Sequence, residues 1–229
     1  MLTFPSFNLY LIRHGQSETN VDPDKMGQTP EVPLTLLGQQ QAAQLGQKFV
    51  SDNIVFDKVF SSPYNRAKDT AIIVASSLKF NDKIVFADDL REYDAGDWKG
   101  TSRKEMVTNE IKLSMGYFTN AFAPPNGESL NAVERRGSKW LDDFIMFNDE
   151  ILNLSNKKMS ESEQPLEIAC FTHGMTIKCL LHHIMGFDKS ITWKIGVDNT
   201  SVSKLTFDHE GWKIRYLNNC SHLKENSFA

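Results

Sequence analysis

The sequence contains little cysteine, and its cysteines are not spaced for metal or disulfide chemistry. Only three occur among 229 residues, Cys170, Cys179 and Cys220, and none belongs to a Cys-x-x-Cys pair. An odd number without such spacing argues against both a disulfide framework and a zinc site. Free thiols are typical of a reducing compartment, so the sequence predicts a cytoplasmic protein.

Long apolar runs and an excess of basic residues are also missing. No apolar stretch reaches membrane length, and the apolar segment near the N-terminus has no basic residue before it. That segment therefore predicts a strand and not a signal peptide or a membrane anchor. The 25 Lys and Arg are outnumbered by 29 Asp and Glu, which gives a formal charge of −4. A mildly acidic chain lacks the electrostatic footprint of a nucleic-acid or membrane-surface binder, so positive charge that binds an anion must be local.

The remaining composition is that of an ordinary globular protein with alternating strand and helix patterns. Hydrophobic residues make up 40% and charged residues 24% of the chain, and we predict a single domain over residues 1–229. Runs typical of strands occur at residues 8–12, 58–60, 83–87 and 167–171, with helical periodicity between them. The alternation predicts an α/β fold with a mostly parallel central sheet flanked by helices on both faces.

Three regions depart from that simple alternation. Residues 93–126 are rich in glycine, aromatic residues and methionine, and we interpret them as an inserted, lid-like excursion from the sheet. Residues 153–164 are polar and predict a solvated loop. Residues 201–207 and 212–217 alternate in the manner of strands around a short polar turn, which predicts a hairpin.

Residues suited to chemistry follow three of the predicted strands. The first strand leads into Arg13 and His14, a later strand leads into His173, and the short strand at residues 58–60 leads to Arg66. In a parallel sheet the carboxyl ends of the strands lie along one edge, where such sheets bind ligands. We therefore expect these four side chains to lie close together.

The segment at residues 11–20, Leu-Ile-Arg-His-Gly-Gln-Ser-Glu-Thr-Asn, resembles the signature of the histidine phosphatase superfamily, the phosphoglycerate mutase-like proteins. Further blocks are similar to the family in the family's order, from about residue 8 to residue 223. They include Pro33-Leu34-Thr35, Ser61-Ser62-Pro63, Arg66-Ala67, Leu90-Arg91-Glu92, Gly127-Glu128-Ser129-Leu130 and Thr172-His173-Gly174. The resemblance thus covers nearly the whole chain.

The resemblance implies five catalytic residues. His14 would be the nucleophile that accepts a phosphoryl group, while Arg13, Arg66 and His173 would hold the phosphoryl oxygens. Glu92 would protonate the leaving oxygen and then activate water against the phosphohistidine. The chemistry is consistent with this assignment, because a neutral imidazole is a good nucleophile near pH 7 and guanidinium forks suit the charge on transferring phosphoryl oxygens.

Four further residues are predicted on the substrate side. The resemblance implies that Asn20 contacts the phosphate, and Ser17, Gln28 and Tyr93 are candidates beside it. It implies no metal and no cofactor, and the sequence contains no His-x-His, His-Glu-x-x-His or P-loop motif. We expect a small phosphorylated metabolite as the partner, and neither a nucleic acid nor a membrane. The oligomeric state stays open, with a homodimer among the alternatives.

The segment at Glu92 bears on the choice between phosphatase and mutase. In phosphoglycerate mutases it resembles Glu-Arg-His-Tyr-Gly, whereas here it is Glu92-Tyr93-Asp94-Ala95-Gly96. An added acid has the wrong sign for binding a second acidic group of a substrate. The sequence therefore favours a phosphatase of a small phosphomonoester, with a mutase as the alternative.

Two other classes of function remain open. One is a binding or regulatory protein on the same fold, which would have lost catalytic residues, although all five are present. The other is a metal hydrolase that would use His14, His173 and Glu92.

Overall fold

The computed structural model describes residues 4–22, 24–25 and 29–223. Six strands form one sheet in the order β3-β2-β4-β1-β5-β6. The strands are β1 Phe7–Arg13, β2 Lys58–Ser61, β3 Val85–Phe86, β4 Leu166–Thr172, β5 Val202–Asp208 and β6 Gly211–Asn219. Strands β1 to β4 pair in parallel, and β5 pairs antiparallel with β1 and with β6. The prediction of a mostly parallel sheet is confirmed, and β5 and β6 form the predicted hairpin.

Eight α-helices occur in the described part of the chain. They are α1 Glu18–Val21, α2 Leu36–Ser51, α3 Asn65–Ser77, α4 Arg103–Met106, α5 Asn109–Phe118, α6 Leu130–Leu141, α7 Asp149–Ser162 and α8 Gly174–Met185. A π-helix, Asp142–Met146, continues α6. Short 3-10 helices occur at Asp88–Leu90, Gly96–Trp98, Thr119–Ala121 and Lys189–Lys194. None of the helices within the described ranges is both long and apolar enough to cross a membrane.

The central strand β1 is buried on both faces. Leu9 and Leu11 belong to a hydrophobic cluster with Trp140 of α6 and side chains of α8. Tyr10 points to the other face and packs in a second cluster with Phe49 of α2 and side chains of α3. Because successive residues of a strand face opposite sides, one apolar run fills both clusters. Helices therefore cover both faces of the sheet, as predicted.

The loop after β1 packs directly against the beginning of α2. Thr35 caps this helix, since its hydroxyl oxygen accepts a hydrogen bond from the Gly38 N–H at 3.0 Å. A Cβ atom added to Gly15 would lie 2.5 Å from the Gly38 carbonyl oxygen. Only glycine allows this approach of the two backbones, which fixes the loop immediately after His14.

The prediction of a solvated loop at residues 153–164 is wrong, because most of this stretch belongs to α7. Asn148 caps the helix, with its side-chain oxygen accepting from the Ile151 N–H at 3.1 Å. Ile151 and Ser155 are buried on one side, and the other side is largely exposed polar residues. A surface helix needs only a narrow buried stripe, which polar composition conceals. The strand predicted at residues 83–87 is shorter, at Val85–Phe86.

Residues 93–126 lie outside the sheet and contain α4, α5 and two of the 3-10 helices. They contact the loop after α1, where the Ser102 hydroxyl donates to the Asp24 carboxylate at 2.7 Å. Ser102 also forms an isolated antiparallel bridge with Lys25. The function of this segment as a lid stays a prediction.

Candidate active site

The structure brings together the four side chains that follow the predicted strands. Arg13 ends β1 and His14 follows it, His173 stands between β4 and α8, and Arg66 is the second residue of α3. The β1 and β4 strands are parallel neighbours, so the two histidines leave the sheet at the same edge. Their ring centroids are 5.2 Å apart. We call Arg13, His14, Arg66 and His173 the strand-end cluster.

The orientation of the His14 ring follows from its contacts. Nδ1 lies 2.7 Å from the Gly15 carbonyl oxygen. A carbonyl oxygen can only accept, so Nδ1 carries the proton and Nε2 presents its lone pair. The Nε–H of Arg66 donates to this Nε2 at 3.3 Å. The Nε2 lone pair of His14 therefore faces the guanidinium group of Arg66.

The histidines of this cluster are neutral at pH 7. His14 is buried, and burial together with the charges of Arg66 and Arg13 holds its pKa well below 6.5. Burial and the nearby Arg66 lower the pKa of His173 in the same way. Burial also lowers the pKa of Arg66 to about 10, which leaves its guanidinium charged. The site thus combines neutral imidazoles with permanent cations.

Three buried side-chain nitrogen atoms in this cluster have no hydrogen-bond partner within the described residues. They are the Nε of Arg13, the Nη2 of Arg66 and the Nδ1 of His173. Leaving one buried donor unpaired costs about 1–3 kcal/mol, so such groups are rare in folded proteins. Three of them in one place indicate a site suited to an anion with several oxygens.

Ser62 orients His173. Its hydroxyl oxygen accepts from the Tyr64 N–H at 3.3 Å and lies 2.8 Å from Nε2 of His173. If the hydroxyl donates to Nε2, the imidazole proton lies on Nδ1, the atom without a partner. In that tautomer Nδ1 is a donor without a partner.

Tyr64 is a component that the sequence analysis missed. Its ring centroid lies 5.2 Å from the guanidinium carbon of Arg66 and 5.5 Å from the ring centroid of His173. The ring therefore packs against two members of the strand-end cluster. Its position two residues before Arg66 was the only signal in the sequence that could have identified it.

Glu92 lies near the strand-end cluster, at the same edge of the sheet. Its carboxylate accepts from the Tyr93 N–H at 2.9 Å and from the Met175 N–H, at the start of α8, at 3.5 Å. The negative charge of Glu92 opposes the effect of burial on the pKa of both Arg13 and Arg66. The carboxylate is therefore close enough to interact with both guanidinium groups.

Asn20 is connected to His14 through a residue absent from the predictions, Asn199. The Oδ1 of Asn20 accepts from the Ser17 N–H at 3.0 Å, from the Ser17 hydroxyl at 2.9 Å and from Asn199 Nδ2 at 3.2 Å. Asn199 Nδ2 also donates to the His14 carbonyl at 3.1 Å. These contacts fix the Asn20 amide, and they place it beside the buried Ser17.

The other two substrate-side candidates are not brought to His14 by the described contacts. The ring of Tyr93 packs against a cluster of Leu130, Val133 and Cys179. Gln28 lies outside the described residues. The described ranges contain no group of three or more His, Cys, Asp or Glu side chains placed to hold a metal ion.

Neutral imidazoles and arginine forks at the carboxyl ends of parallel strands define an α/β protein with a site for an oxyanion. The sequence profile of the histidine phosphatase superfamily (branch 1) matches residues 9–220. The chain belongs to this superfamily and is an enzyme of the histidine phosphatase family. The resemblance found in the sequence is thereby confirmed.

Similar proteins include both phosphatases and mutases. The uncharacterized phosphatase PhoE of Bacillus subtilis is 29% identical over 213 residues, which cover 93% of this chain and 95% of that protein. The probable phosphoglycerate mutase GpmB of Salmonella arizonae is 26% identical over 222 residues, 94% of each chain. These similarities support phosphatase or mutase activity.

A solved structure shares the fold. It is a mutant of the phosphoserine phosphatase from Entamoeba histolytica in complex with phosphoserine. Its TM-score to this chain is 0.74 at 24% sequence identity, and the match covers 95% of this chain and 100% of that chain.

Proposed function

We propose that the protein hydrolyses phosphomonoesters through a phosphohistidine formed at Nε2 of His14. The observation that carries this proposal is the lone pair of a neutral His14 surrounded by charged and unpartnered donors of Arg13, Arg66 and His173. A nucleophile beside donors aimed at one anion is what phosphoryl transfer requires.

In the first step the Nε2 lone pair forms a bond to phosphorus, and the bond between phosphorus and the ester oxygen breaks. Protonated Glu92 gives its proton to the departing oxygen, so the leaving group departs as an alcohol. The guanidinium groups of Arg13 and Arg66 and Nδ1 of His173 donate to the phosphoryl oxygens, whose charge is spread in the transition state.

In the second step the Glu92 carboxylate takes a proton from a water molecule. The water oxygen bonds to phosphorus as the bond between phosphorus and Nε2 breaks. His14 returns to its neutral form and inorganic phosphate leaves. Glu92 is then protonated again for the next cycle, which is why one carboxyl group serves both steps.

The surroundings of Glu92 support hydrolysis over isomerisation. Asp94 forms an ion pair with Lys99 at 2.8 Å, and the ring of Tyr93 packs into an apolar cluster. Neither residue adds positive charge for a second acidic group of the substrate. Phosphoglycerate mutase activity is the second candidate, favoured by the similarity to GpmB.

One assay separates these candidates. The purified enzyme is incubated with a panel of phosphorylated metabolites, and phosphate release is compared with isomerisation of phosphoglycerate in the presence of its bisphosphate. Isomerisation faster than phosphate release would overturn the proposal. The same assay with a strong chelator tests the metal hydrolase, because activity that survives chelation eliminates it.

The proposal includes the cytoplasm as the compartment and a small phosphorylated metabolite as the substrate. Cys170, Cys179 and Cys220 are all free thiols, which supports a reducing compartment. Fractionation of cells with an antibody to the protein tests the location.

A further inference from the structure

Glu92 stands on irregular chain. The 3-10 helix Asp88–Leu90 ends before it, and the next one, Gly96–Trp98, begins after it. Backbone carbonyls outside regular structure need other partners, because unpaired polar groups are unfavourable in a protein interior. We call residues 89–94 the Glu92 segment. The hydrogen-bond partners of its carbonyl groups therefore fix the backbone position from which the Glu92 side chain extends.

Arg136 of α6 supplies these partners. Its Nη1 donates to the carbonyl oxygens of Asp89 and Arg91 at 2.6 and 2.7 Å. Its Nη2 donates to the carbonyl oxygen of Glu92 at 3.1 Å. One guanidinium group therefore holds three carbonyl groups of the Glu92 segment, and the last of them belongs to Glu92 itself.

Glu128 holds Arg136 and the other end of the same segment. Its carboxylate accepts from the Nε and Nη2 of Arg136 at 3.0 and 3.1 Å. It also accepts from the Asp94 N–H at 3.1 Å, while the Glu128 N–H donates to the Asp94 carbonyl at 2.8 Å. The pair thus binds the chain on both sides of Glu92.

The pair is partly buried. The side chain of Arg136 is 11% exposed and that of Glu128 is 25% exposed. Hydrogen bonds between charged groups and backbone are stronger than neutral ones and are less screened in such surroundings. Two threonines add to the arrangement, since the hydroxyl groups of Thr172 and Thr176 donate to the Leu90 and Arg91 carbonyls at 2.6 Å.

We propose that Arg136, held by Glu128, is a positioning residue that sets the Glu92 carboxyl group relative to Nε2 of His14. This role rests on the proposed function, in which Glu92 protonates the leaving oxygen. A lysine could replace Arg136 only in part, because a single ammonium group cannot reach three carbonyl groups and both carboxylate oxygens.

The test compares two esters that differ in their need for a general acid. p-Nitrophenyl phosphate has a leaving group that departs without protonation, whereas an alkyl phosphate requires it. We expect Arg136→Met to lower kcat/KM about tenfold more for the alkyl phosphate than for p-nitrophenyl phosphate, the same direction of selectivity as in Glu92→Gln. We expect Arg136→Lys to show a smaller loss of the same kind.

A matched control comes from the ion pair of Lys158 and Asp57. This pair is also partly buried, at 26% and 22% exposure, and Asp57 also accepts from a backbone N–H, that of Glu167. It lies where β2 and β4 begin, at the opposite edge of the sheet from His14. Lys158→Met should therefore change kcat/KM for the two esters equally.

Circular dichroism and thermal melting show which variants fold. If Arg136→Met does not fold, Arg136→Lys and Glu128→Gln carry the same test, since both preserve much of the packing. Equal losses on the two esters in the folded variants would overturn the positioning role, provided that Glu92→Gln discriminates between the esters. If wild-type enzyme releases phosphate from neither ester, the proposed function fails and the positioning role falls with it.

Discussion

The strand-end cluster and the Glu92 segment face the same site but are built in different ways. His14, Arg66 and His173 are at most 1% exposed and stand at the ends of β1 and β4 and the start of α3. Glu92 is partly exposed and stands on irregular chain between two short 3-10 helices. Strand pairing and the start of α3 place the first group, and side chains of α6 and α8 place the second.

The difference corresponds to the two tasks in the proposed reaction. Donors that stabilise a phosphoryl group act best when they are fixed before the reaction, which sheet edges and helix starts provide. A carboxyl group that serves the leaving oxygen and then water must stay at the boundary with solvent. The two parts of the site should therefore fail in different ways when they are altered.

Removal of the nucleophile should have the largest effect. We expect His14→Ala to lower kcat by several orders of magnitude on both p-nitrophenyl phosphate and an alkyl phosphate, because the covalent step is lost. Steady-state assays measure this, with His209→Ala in the exposed hairpin turn as the control. Residual activity near the wild-type level would refute the assignment of His14.

The next effect should depend on the substrate. We expect Glu92→Gln to lower kcat/KM about 100-fold for the alkyl phosphate and much less for p-nitrophenyl phosphate. Since this variant also lacks the base for the second step, it should accumulate phosphorylated protein, which intact-protein mass spectrometry detects. Equal losses on both esters, without accumulation, would show that Glu92 is not the acid.

The packing of the loop after His14 can be tested through stability. We expect Gly15→Ala to lower the free energy of unfolding by about 1–3 kcal/mol, because its Cβ would lie 2.5 Å from the Gly38 carbonyl oxygen. Gly174→Ala is the control, since a Cβ there would lie 3.7 Å from Arg13, an ordinary contact. Urea unfolding of the two variants measures the difference, and similar values would contradict the role given to Gly15.

The same contrast explains what the sequence could predict. Arg13, His14 and His173 directly follow buried apolar runs, so a parallel sheet was enough to bring them to one edge. Helix α7 was missed because a few buried side chains on one face suffice for a polar helix.

Arg136 and Asn199 could not be found in this way. Arg136 contacts carbonyl groups 44 to 47 positions away, and Asn199 contacts the His14 carbonyl 185 positions away. Before the helices pack, nothing distinguishes Arg136 from any charged residue of an exposed helix face. Contacts with backbone groups leave no spacing pattern, so only the folded chain reveals them.

The smallest predicted effect concerns pH, and it should arise in the strand-end cluster. The pKa of His14 lies well below 6.5 in the folded protein, so below pH 6.5 the unfolded chain takes up a proton that the folded chain does not. The free energy of unfolding must then decrease as the pH falls from 6.5.

His14→Gln removes this contribution. Between pH 7.5 and pH 5.5 the free energy of unfolding of this variant should therefore fall by about 1 kcal/mol less than that of wild type, which corresponds to about 2–4 °C in Tm. Thermal melting of both proteins at pH 7.5 and pH 5.5 measures the difference. Identical pH dependence in the two proteins would mean that folding does not lower the pKa of His14, which would contradict the buried, neutral imidazole on which the proposed nucleophile depends.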